Sequence, residues 1–373
     1  MSKKVLTVTF TNTVNYGAIL QATALQRVLL DHGYDTKLLN YNVKHDGLKS
    51  RPVSKRFLSF VWSLIKGYLG HTKRKNKTSH FLSLHNSFTS PINDKKNLLK
   101  LNDNFDVFIV GSDQVWNPKI IGNDTSYLLD FVSGDKTKLS YAASFGLNVL
   151  PSAFEDTVKE KLKSFQAVSV REQQARNILD QLSIDSTLVL DPTLLLRGKE
   201  WSEFYDNEPI IKEPYILCYY MPGNKMVESR ISKLACKIKE SKGLRVISIG
   251  RKEYTRLYLN KNNRVADGPK EFLNLISNAS YVLTNSFHGV CFSVNFNKNF
   301  FAFVEEDYMS SSSLSSRIFS LLNALELKDR IVVPSGADSQ LIAKSSISYS
   351  EVQDEIEILR ANSIGFLMNA VGN

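Results

Sequence analysis

The chain has 373 residues, 43% hydrophobic and 23% charged, with a formal net charge of +10 at pH 7. This composition excludes an intrinsically disordered or fibrous protein, and the length predicts two globular domains. The three cysteines, Cys218, Cys236 and Cys291, are far apart and odd in number, so neither a zinc site nor a disulfide framework is expected and a reducing cytosol suits the chain.

The first residues predict the alternation of strand and helix that builds a parallel sheet. Val5–Phe10 is a short apolar strand, Ala18–His32 carries apolar residues at helical spacing, and Lys37–Tyr41 is a second strand. The opening segment is too short and too β-like for a secretory signal, and no apolar run approaches the ~20 residues of a membrane span. We therefore expect a cytoplasmic protein.

A basic insertion, residues 44–80, interrupts this alternation. It holds ten basic residues and one acid and so accounts for nine of the ten net positive charges. Within it, Arg56–Leu69 is an apolar and aromatic helix candidate. Two interpretations stay open: a solvated helix that packs on its domain, or an interfacial anchor that places the protein peripherally at the cytoplasmic face of an anionic membrane. Nucleic-acid binding is not expected, because no recognition module accompanies the charge.

The remaining sequence continues the alternation in two halves. Pro192, in the segment Leu188–Thr193, is predicted to end the first half at a hinge or linker. The predicted strands are Phe105–Val110, Lys138–Ser144, Ala167–Val170, Tyr215–Tyr220, Arg245–Gly250, Tyr281–Thr284 and Asn299–Val304, and the predicted helices span residues 153–165, 172–181, 225–240, 269–279, 315–325 and 351–370.

These elements predict an α/β protein with two Rossmann-like βα domains that face a central cleft, as in a GT-B-like architecture. The N-terminal domain spans residues 1–187 and carries the basic insertion, and the C-terminal domain spans residues 188–350. The last segment, residues 351–373, is a helix of the kind that often crosses back in two-domain α/β proteins. The serine loop Ser310–Ser313 is predicted to be flexible.

The stretch Tyr281–Gly289 is the most informative in the chain, because it places His288 at the end of a strand and at the start of a helix. Ligands of open α/β sheets bind at such strand ends, and a helix N-terminus suits an anion. The alternative is a histidine that only caps a helix.

Several short motifs together resemble the polysaccharide pyruvyl transferase family. Their order and spacing cover nearly the whole chain apart from the basic insertion. The matching pieces are Asn15–Ala18 with Gln21, Phe105–Asn117, Ser140–Gly146, Val168–Glu172, Asp191–Thr193, Thr284–Gly289 and Arg317.

This resemblance implies a transferase that moves the enolpyruvyl unit of phosphoenolpyruvate onto sugar hydroxyls, usually as a pyruvate ketal on a bacterial surface polysaccharide (an exopolysaccharide or capsule) or its lipid-linked precursor. Family members often carry Arg-Leu-His where this chain has Ser286–Phe287–His288. The histidine is kept and the arginine is absent, so Arg317 or a residue of the basic insertion is expected to compensate.

The donor has a carboxylate and a phosphate, which favour arginine ligands. Arg171, at a strand end, and Arg317 are the candidate ligands. The alternative for Arg171 is a surface ion pair, and the alternative for Arg317 is a helix that follows a passive linker. Asn285, Ser286 and Phe287 complete the expected donor site, on the C-terminal domain.

The expected acid/base is His288, because histidine titrates near neutrality, and Asp113 is a second candidate base for the acceptor. Short polar groups at strand ends suit sugar hydroxyls, although Asn15 and Asp113 are equally candidates for helix caps, and Tyr16, Trp116 and Phe287 for core packing. The expected acceptor-binding residues are Asn15, Tyr16, Gly17, Gln21, Ser112 and Asn117.

Two other functions stay open: a nucleotide-sugar glycosyltransferase of GT-B fold, and a non-catalytic glycan-binding protein. No metal site is expected, because the six histidines show no HxH or HExxH spacing. No cofactor is expected, because the chain has no GxGxxG. The sequence leaves the oligomeric state open.

Overall fold

The computed structural model describes residues 2–43, 59–221, 224–249, 268–305, 315–334 and 346–372, with only the backbone described for residues 59–71. The chain forms two compact units. Unit 1 comprises Met1–Leu195 and Arg360–Asn373, and unit 2 comprises Leu196–Leu359. Residues 44–58 of the basic insertion and the serine loop Ser310–Ser313 lie outside the described residues.

Unit 1 is built on a parallel sheet with the strand order β2-β1-β3-β4. Isolated bridges from Leu139 to Ala167 and from Ala143 to Val170 continue the pairing toward a short parallel pair, β5 and β6. The strands are β1 (Lys4–Val8), β2 (Asp35–Leu38), β3 (Val107–Val110), β4 (Thr137–Ser140), β5 (Ser169–Val170) and β6 (Thr187–Leu188). All four residues of β3 are buried, as expected for a strand covered on both faces.

The helices of unit 1 flank this sheet. α1 begins after an Asn15 cap and ends before Gly33, whose φ of +82° is the left-handed conformation that glycine adopts without strain. The helices are α1 (Tyr16–Asp31), α2 (Ser59–His85), α3 (Pro118–Ile121), α4 (Ser152–Leu162) and α5 (Gln173–Gln181), with 3-10 turns at Lys95–Asp103, Thr125–Leu128 and Pro192–Leu194.

Unit 2 carries a second parallel sheet, with the strand order β8-β7-β9-β10-β11. The strands are β7 (Tyr215–Tyr219), β8 (Arg245–Ile249), β9 (Tyr281–Thr284), β10 (Asn299–Phe303) and β11 (Ile331–Val332). The helices are α6 (Gly198–Trp201), α7 (Lys225–Lys242), α8 (Pro269–Asn278), α9 (Phe287–Asn295) and α10 (Ser316–Ala324), with 3-10 turns at Ser202–Phe204 and Lys328–Arg330. The last helix, α11 (Tyr349–Gly372), begins in unit 2 and belongs to unit 1 from Arg360 onward.

The predicted α/β class with parallel sheets is confirmed. Several strands are shorter than predicted. For example, β4 ends at Ser140 rather than Ser144, because Ala142 turns the chain with a φ of +51°. α9 starts at Phe287, so His288 lies at the start of a helix, as predicted. Among the helices that the structure describes, none is both long and apolar enough to cross a lipid bilayer.

In each sheet the second strand in chain order pairs with one side of the first strand, and the third strand pairs with its other side. This order creates a topological switch point in each unit, between β1 and β3 in unit 1 and between β7 and β9 in unit 2. Ligands of doubly wound sheets bind outside the carboxyl ends of the strands at such points. The segments that follow these four strands are therefore where a site is expected.

Candidate functional site

In unit 2, the turn from β9 into α9 is fixed by its own short polar side chains. The Ser286 backbone N–H donates to Thr284 Oγ1 over 3.0 Å, and the Gly289 N–H donates to Ser286 Oγ over 3.4 Å. Ser286 is thus the cap of α9. This turn puts His288 in the first helical turn, at the carboxyl edge of the sheet beside the switch point.

The structure brings the predicted acid/base and two predicted donor-binding residues together at this turn. His288, Phe287 and Arg317 are each 6% exposed. The rings of Phe287 and His288 lie 5.4 Å apart, and the Arg317 guanidinium carbon lies 5.7 Å from the centre of the Phe287 ring. A guanidinium at this distance from an aromatic ring is attracted to it. The first turn of α9 therefore carries a histidine with an arginine held close by.

Asn285 makes contacts that the sequence did not predict. Its side-chain amide donates to the Met221 carbonyl over 3.2 Å, and its Oδ1 accepts from the Met221 N–H over 2.7 Å. Met221 follows β7 and Asn285 follows β9, so the paired bonds join the two strand ends across the switch point. The predicted role of Asn285 in donor binding stays a prediction, and its observed contacts hold the site's backbone.

Gly289 lets α9 pack closely on the sheet. A Cβ added there would overlap the Thr284 hydroxyl and lie 3.0 Å from Tyr219 Cδ1. We expect Gly289→Ala to lower the free energy of unfolding by about 1–3 kcal/mol, because overpacking forces the neighbours to shift. Gly365→Ala is the matched control: no atom lies within 4 Å of its added Cβ, so helix propensity should make it neutral or stabilising by roughly 0.5–1 kcal/mol. Equal denaturation midpoints for both variants would contradict this packing.

In unit 1, a buried hydrogen-bond network ties the ends of β1 and β3 to α1. Gln21 Nε2 donates to Thr9 Oγ1 over 2.9 Å, and Gln21 Oε1 accepts from the Ser112 N–H over 3.0 Å. The Thr9 hydroxyl in turn donates to the Ser112 carbonyl over 2.9 Å. Gln21 and Ser112 were predicted to bind acceptor hydroxyls, but both are buried in this network. Their hydrogen bonds hold the segments after β1 and β3 together at the switch point.

The other acceptor candidates lie around the same edge. Asn15 Oδ1 accepts from the Gly17 N–H, and Asn117 Oδ1 accepts from the Lys119 N–H, each over 3.0 Å. Both asparagines therefore act as helix caps, as the alternative interpretation held for Asn15. Tyr16 is buried, with the Arg74 guanidinium carbon 5.2 Å from its ring centre.

Trp116 belongs to the core. It is fully buried, packs on Phe145 with ring centres 5.3 Å apart, and donates its indole N–H to the Tyr127 carbonyl over 3.0 Å.

Arg171 lies in a buried ionic cluster. Its NH1 donates to Asp191 Oδ2 over 2.7 Å, its NH2 donates to Asp113 Oδ1 over 3.0 Å, and its Nε lies 3.7 Å from Glu172 Oε2. The side chain is fully buried, so the alternative of an exposed residue with a surface ion pair is wrong. Burial lowers the arginine pKa, but the attraction of the three carboxylates outweighs burial and raises the pKa above its ordinary value.

Sequence reasoning missed the role of Asp191 in this cluster. Its Oδ1 accepts from the Thr193 N–H and hydroxyl, and its Oδ2 accepts from Arg171 and from Ser112 Oγ. The Asp-Pro-Thr triplet is a cap signal that the sequence displays. The second function, as counter-ion to an arginine 20 residues earlier, leaves no local signature.

Comparison with known proteins agrees with this architecture. The model of the family described as polysaccharide pyruvyl transferase matches residues 15–307. The UDP-GlcNAc 2-epimerase of Methanocaldococcus jannaschii is similar in structure, with a TM-score of 0.53 at 14% identity, over 97% of this chain and 100% of that chain. The UDP-GlcNAc 2-epimerase of Neisseria meningitidis bound to UDP-GlcNAc matches with a TM-score of 0.50 at 12% identity, over the same shares.

At these identities the structural likenesses show the fold alone, which is GT-B-like. No curated protein matches the chain in sequence. The family match, by contrast, covers well over half of the chain and includes the first turns of α1 and α9. The chain therefore belongs to the polysaccharide pyruvyl transferase family.

Proposed function

We propose that this protein transfers the pyruvyl unit of phosphoenolpyruvate onto sugar hydroxyls of a surface polysaccharide or its lipid-linked precursor, and forms a pyruvate ketal. Membership of the family and the GT-B-like fold support a transferase that acts on a glycan. The observation that carries the proposal is the placement of His288, in the first turn of α9 at the switch point of unit 2.

The chemistry of the donor fits this turn. Phosphoenolpyruvate carries a carboxylate and a phosphate, and the start of α9 offers backbone N–H groups and the positive end of the helix dipole. Arg317, held over Phe287, supplies a positive charge beside it. In this proposal Arg317 takes the place of the arginine that family members often carry at the position of Ser286.

The reaction needs one acid and one base. His288 donates a proton to the methylene carbon of the donor, which becomes a methyl group. Two sugar hydroxyls add in turn to the neighbouring carbon, each losing its proton as its oxygen forms a bond, and the carbon–oxygen bond to phosphate breaks between the two additions. Of the two hydroxyl protons, one returns to His288, which gave its own proton to the methyl carbon, and the other leaves with hydrogen phosphate. A histidine suits these steps because it exchanges protons near neutral pH.

We place the acceptor at the strand ends of unit 1. Asn15, Gly17 and Asn117 are at helix starts on that edge, and Asp113 is the carboxylate that follows β3. The basic insertion would bring a lipid-linked acceptor to this unit if its aromatic and basic residues bind an anionic membrane.

A nucleotide-sugar glycosyltransferase is the second candidate. One observation favours it: a GT-B-like structure similar to this chain was solved with UDP-GlcNAc bound. In that case the start of α9 would bind the diphosphate, and Ser286 would be the residue that changed the donor. A non-catalytic glycan-binding protein would show glycan binding without turnover of any donor.

Ligand-induced stabilisation separates these candidates. We expect millimolar phosphoenolpyruvate to raise the melting temperature, and UDP, GDP and CMP to leave it unchanged. A ligand at 100 times its dissociation constant stabilises the native state by about 2.7 kcal/mol. Arg317→Gln should lose the shift, whereas Arg176→Gln, at an exposed position of α5, should keep it. Stabilisation by a nucleotide alone would replace the proposal with glycosyl transfer.

A further inference from the structure

The buried ionic cluster of unit 1 is closed on every side but one. The Asp191 side chain is 0% exposed and the Glu172 side chain 1%, whereas Asp113 keeps 11%. Asp113 is thus the most exposed of the three carboxylates in the cluster. The Arg171 guanidinium is fully buried, with its two terminal nitrogens on Asp191 and Asp113. An anionic donor would have to displace Asp113 to reach Arg171.

The backbone of Asp113 is held as firmly as its side chain. Its φ is +75°, a left-handed value that is uncommon for non-glycine residues, although Asp adopts it more readily than most. The Asp113 carbonyl accepts from the Ser144 N–H over 3.0 Å and from the Val115 N–H over 2.8 Å. Residues that their surroundings hold in sparsely populated conformations cluster at functional sites. Its place is the carboxyl end of β3, at the switch point.

We propose that Arg171 is a positioning residue, which fixes Asp113 so that this carboxylate takes the proton from an acceptor hydroxyl, and that Arg171 does not contact the donor. The role rests on the proposed function. In the step concerned, the hydroxyl proton passes to Asp113 as the hydroxyl oxygen bonds to the ketal carbon, and Asp113 then releases the proton to the departing phosphate.

Two bonds carry the positioning. NH2 holds Asp113 and NH1 holds Asp191, and Asp191 is itself fixed by Ser112 Oγ over 3.0 Å. The guanidinium is a rigid fork that spans both carboxylates. A lysine keeps the charge but has one nitrogen and cannot hold both at this geometry. Glu172 is the third charged group beside Arg171, and Ser144 Oγ donates to its Oε1 over 2.7 Å.

The test compares Arg171→Lys, Asp113→Asn and the double variant with the wild type. Turnover is followed as phosphate released from phosphoenolpyruvate in the presence of a glycan acceptor, and donor affinity by equilibrium titration. We expect kcat to fall by about 100-fold or more in each single variant, with the dissociation constant of phosphoenolpyruvate unchanged. The double variant should be no slower than Asp113→Asn, because residues that act as one unit are not additive. The acid limb of the kcat profile against pH should disappear in Asp113→Asn and shift in Arg171→Lys.

Several outcomes would overturn the assignment. In an active wild type, loss of donor binding in Arg171→Lys with Asp113→Asn unaffected would make Arg171 a donor ligand. Multiplicative losses in the double variant would mean that the two residues act independently. Wild-type protein that turns over no phosphoenolpyruvate would remove the proposed function and this role together. If Arg171→Lys does not fold, Asp191→Asn makes the same comparison, because it releases the other end of the guanidinium.

Discussion

Replacing His288 with glutamine is expected to lower kcat by roughly 10²–10⁴-fold, the usual contribution of a positioned acid or base. His288 lies at the first turn of α9 and is 6% exposed. Glutamine keeps a polar side chain of similar reach, so the helix start should stay intact, but it cannot deliver a proton near neutral pH. The dissociation constant of phosphoenolpyruvate should change little, because the α9 N–H groups and Arg317 remain. Phosphate release and donor titration on the same preparations measure both quantities.

His80→Gln is the matched control for this experiment. His80 is exposed on α2, so its replacement should leave kcat and the melting temperature as in the wild type. Full activity in His288→Gln would assign the proton transfer to another group. A large loss of donor binding with kcat preserved would instead make His288 a ligand of the phosphate.

The position of the candidate site follows from the sequence because parallel sheets expose the carboxyl ends of their strands at one edge. Short apolar runs bounded by polar residues, such as Phe105–Val110 and Tyr281–Thr284, favour buried strands. The residues after them must then lie at that edge, which is how His288 and Asp113 were located from the sequence alone. The family resemblance implied the expected reaction, and its motifs include the same two residues.

The contacts of each side chain at the edge were not predictable in the same way. Asn285 and Gln21 carry polar groups that suit a sugar, yet Asn285 bonds to the Met221 backbone and Gln21 to Thr9 and Ser112. The bonds from Asn285 to Met221 and from Gln21 to Ser112 join residues 64 and 91 positions apart, and no local pattern signals them. A polar side chain at a strand end is therefore a candidate for ligand binding or for scaffolding, and only its partners decide between them.

Arg171 shows the same limit for charge. An arginine that follows a strand can bind a donor or can be the counter-ion of buried carboxylates, and the sequence Val168–Glu172 fits either role. The difference lies in Asp191, which is brought to the cluster by the turn at Pro192–Leu194. Three carboxylates around one guanidinium are costly to bury, and the proposed positioning of Asp113 gives this cluster a function.

Arg171→Met should produce the largest loss of stability among the variants considered. Methionine fills a similar volume but leaves Asp113, Glu172 and Asp191 without their cation in a buried site. Removing one partner of a buried ion pair costs about 3–5 kcal/mol of unfolding free energy. The matched control is Arg197→Met, whose bond to Glu357 is also 2.7 Å long but whose side chain is 56% exposed. Exposed pairs contribute about 1 kcal/mol or less.

The pH dependence of this difference follows from the direction of the pKa shifts. Because the carboxylates raise the pKa of Arg171 above its ordinary value, its stabilising contribution is present at every pH below that ordinary value and is complete at pH 7. In Arg171→Met, buried carboxylates without a cation favour their protonated form. Their folded-state pKa then exceeds the unfolded one, so the variant regains stability as the pH falls. Urea denaturation at pH 7 and pH 5 should therefore show the gap between wild type and Arg171→Met narrowing on acidification, with the Arg197→Met gap small at both. A gap at pH 7 no larger than that of Arg197→Met would mean that the guanidinium does not hold these carboxylates in charged form, and the positioning of Asp113 by Arg171 would lose its physical basis.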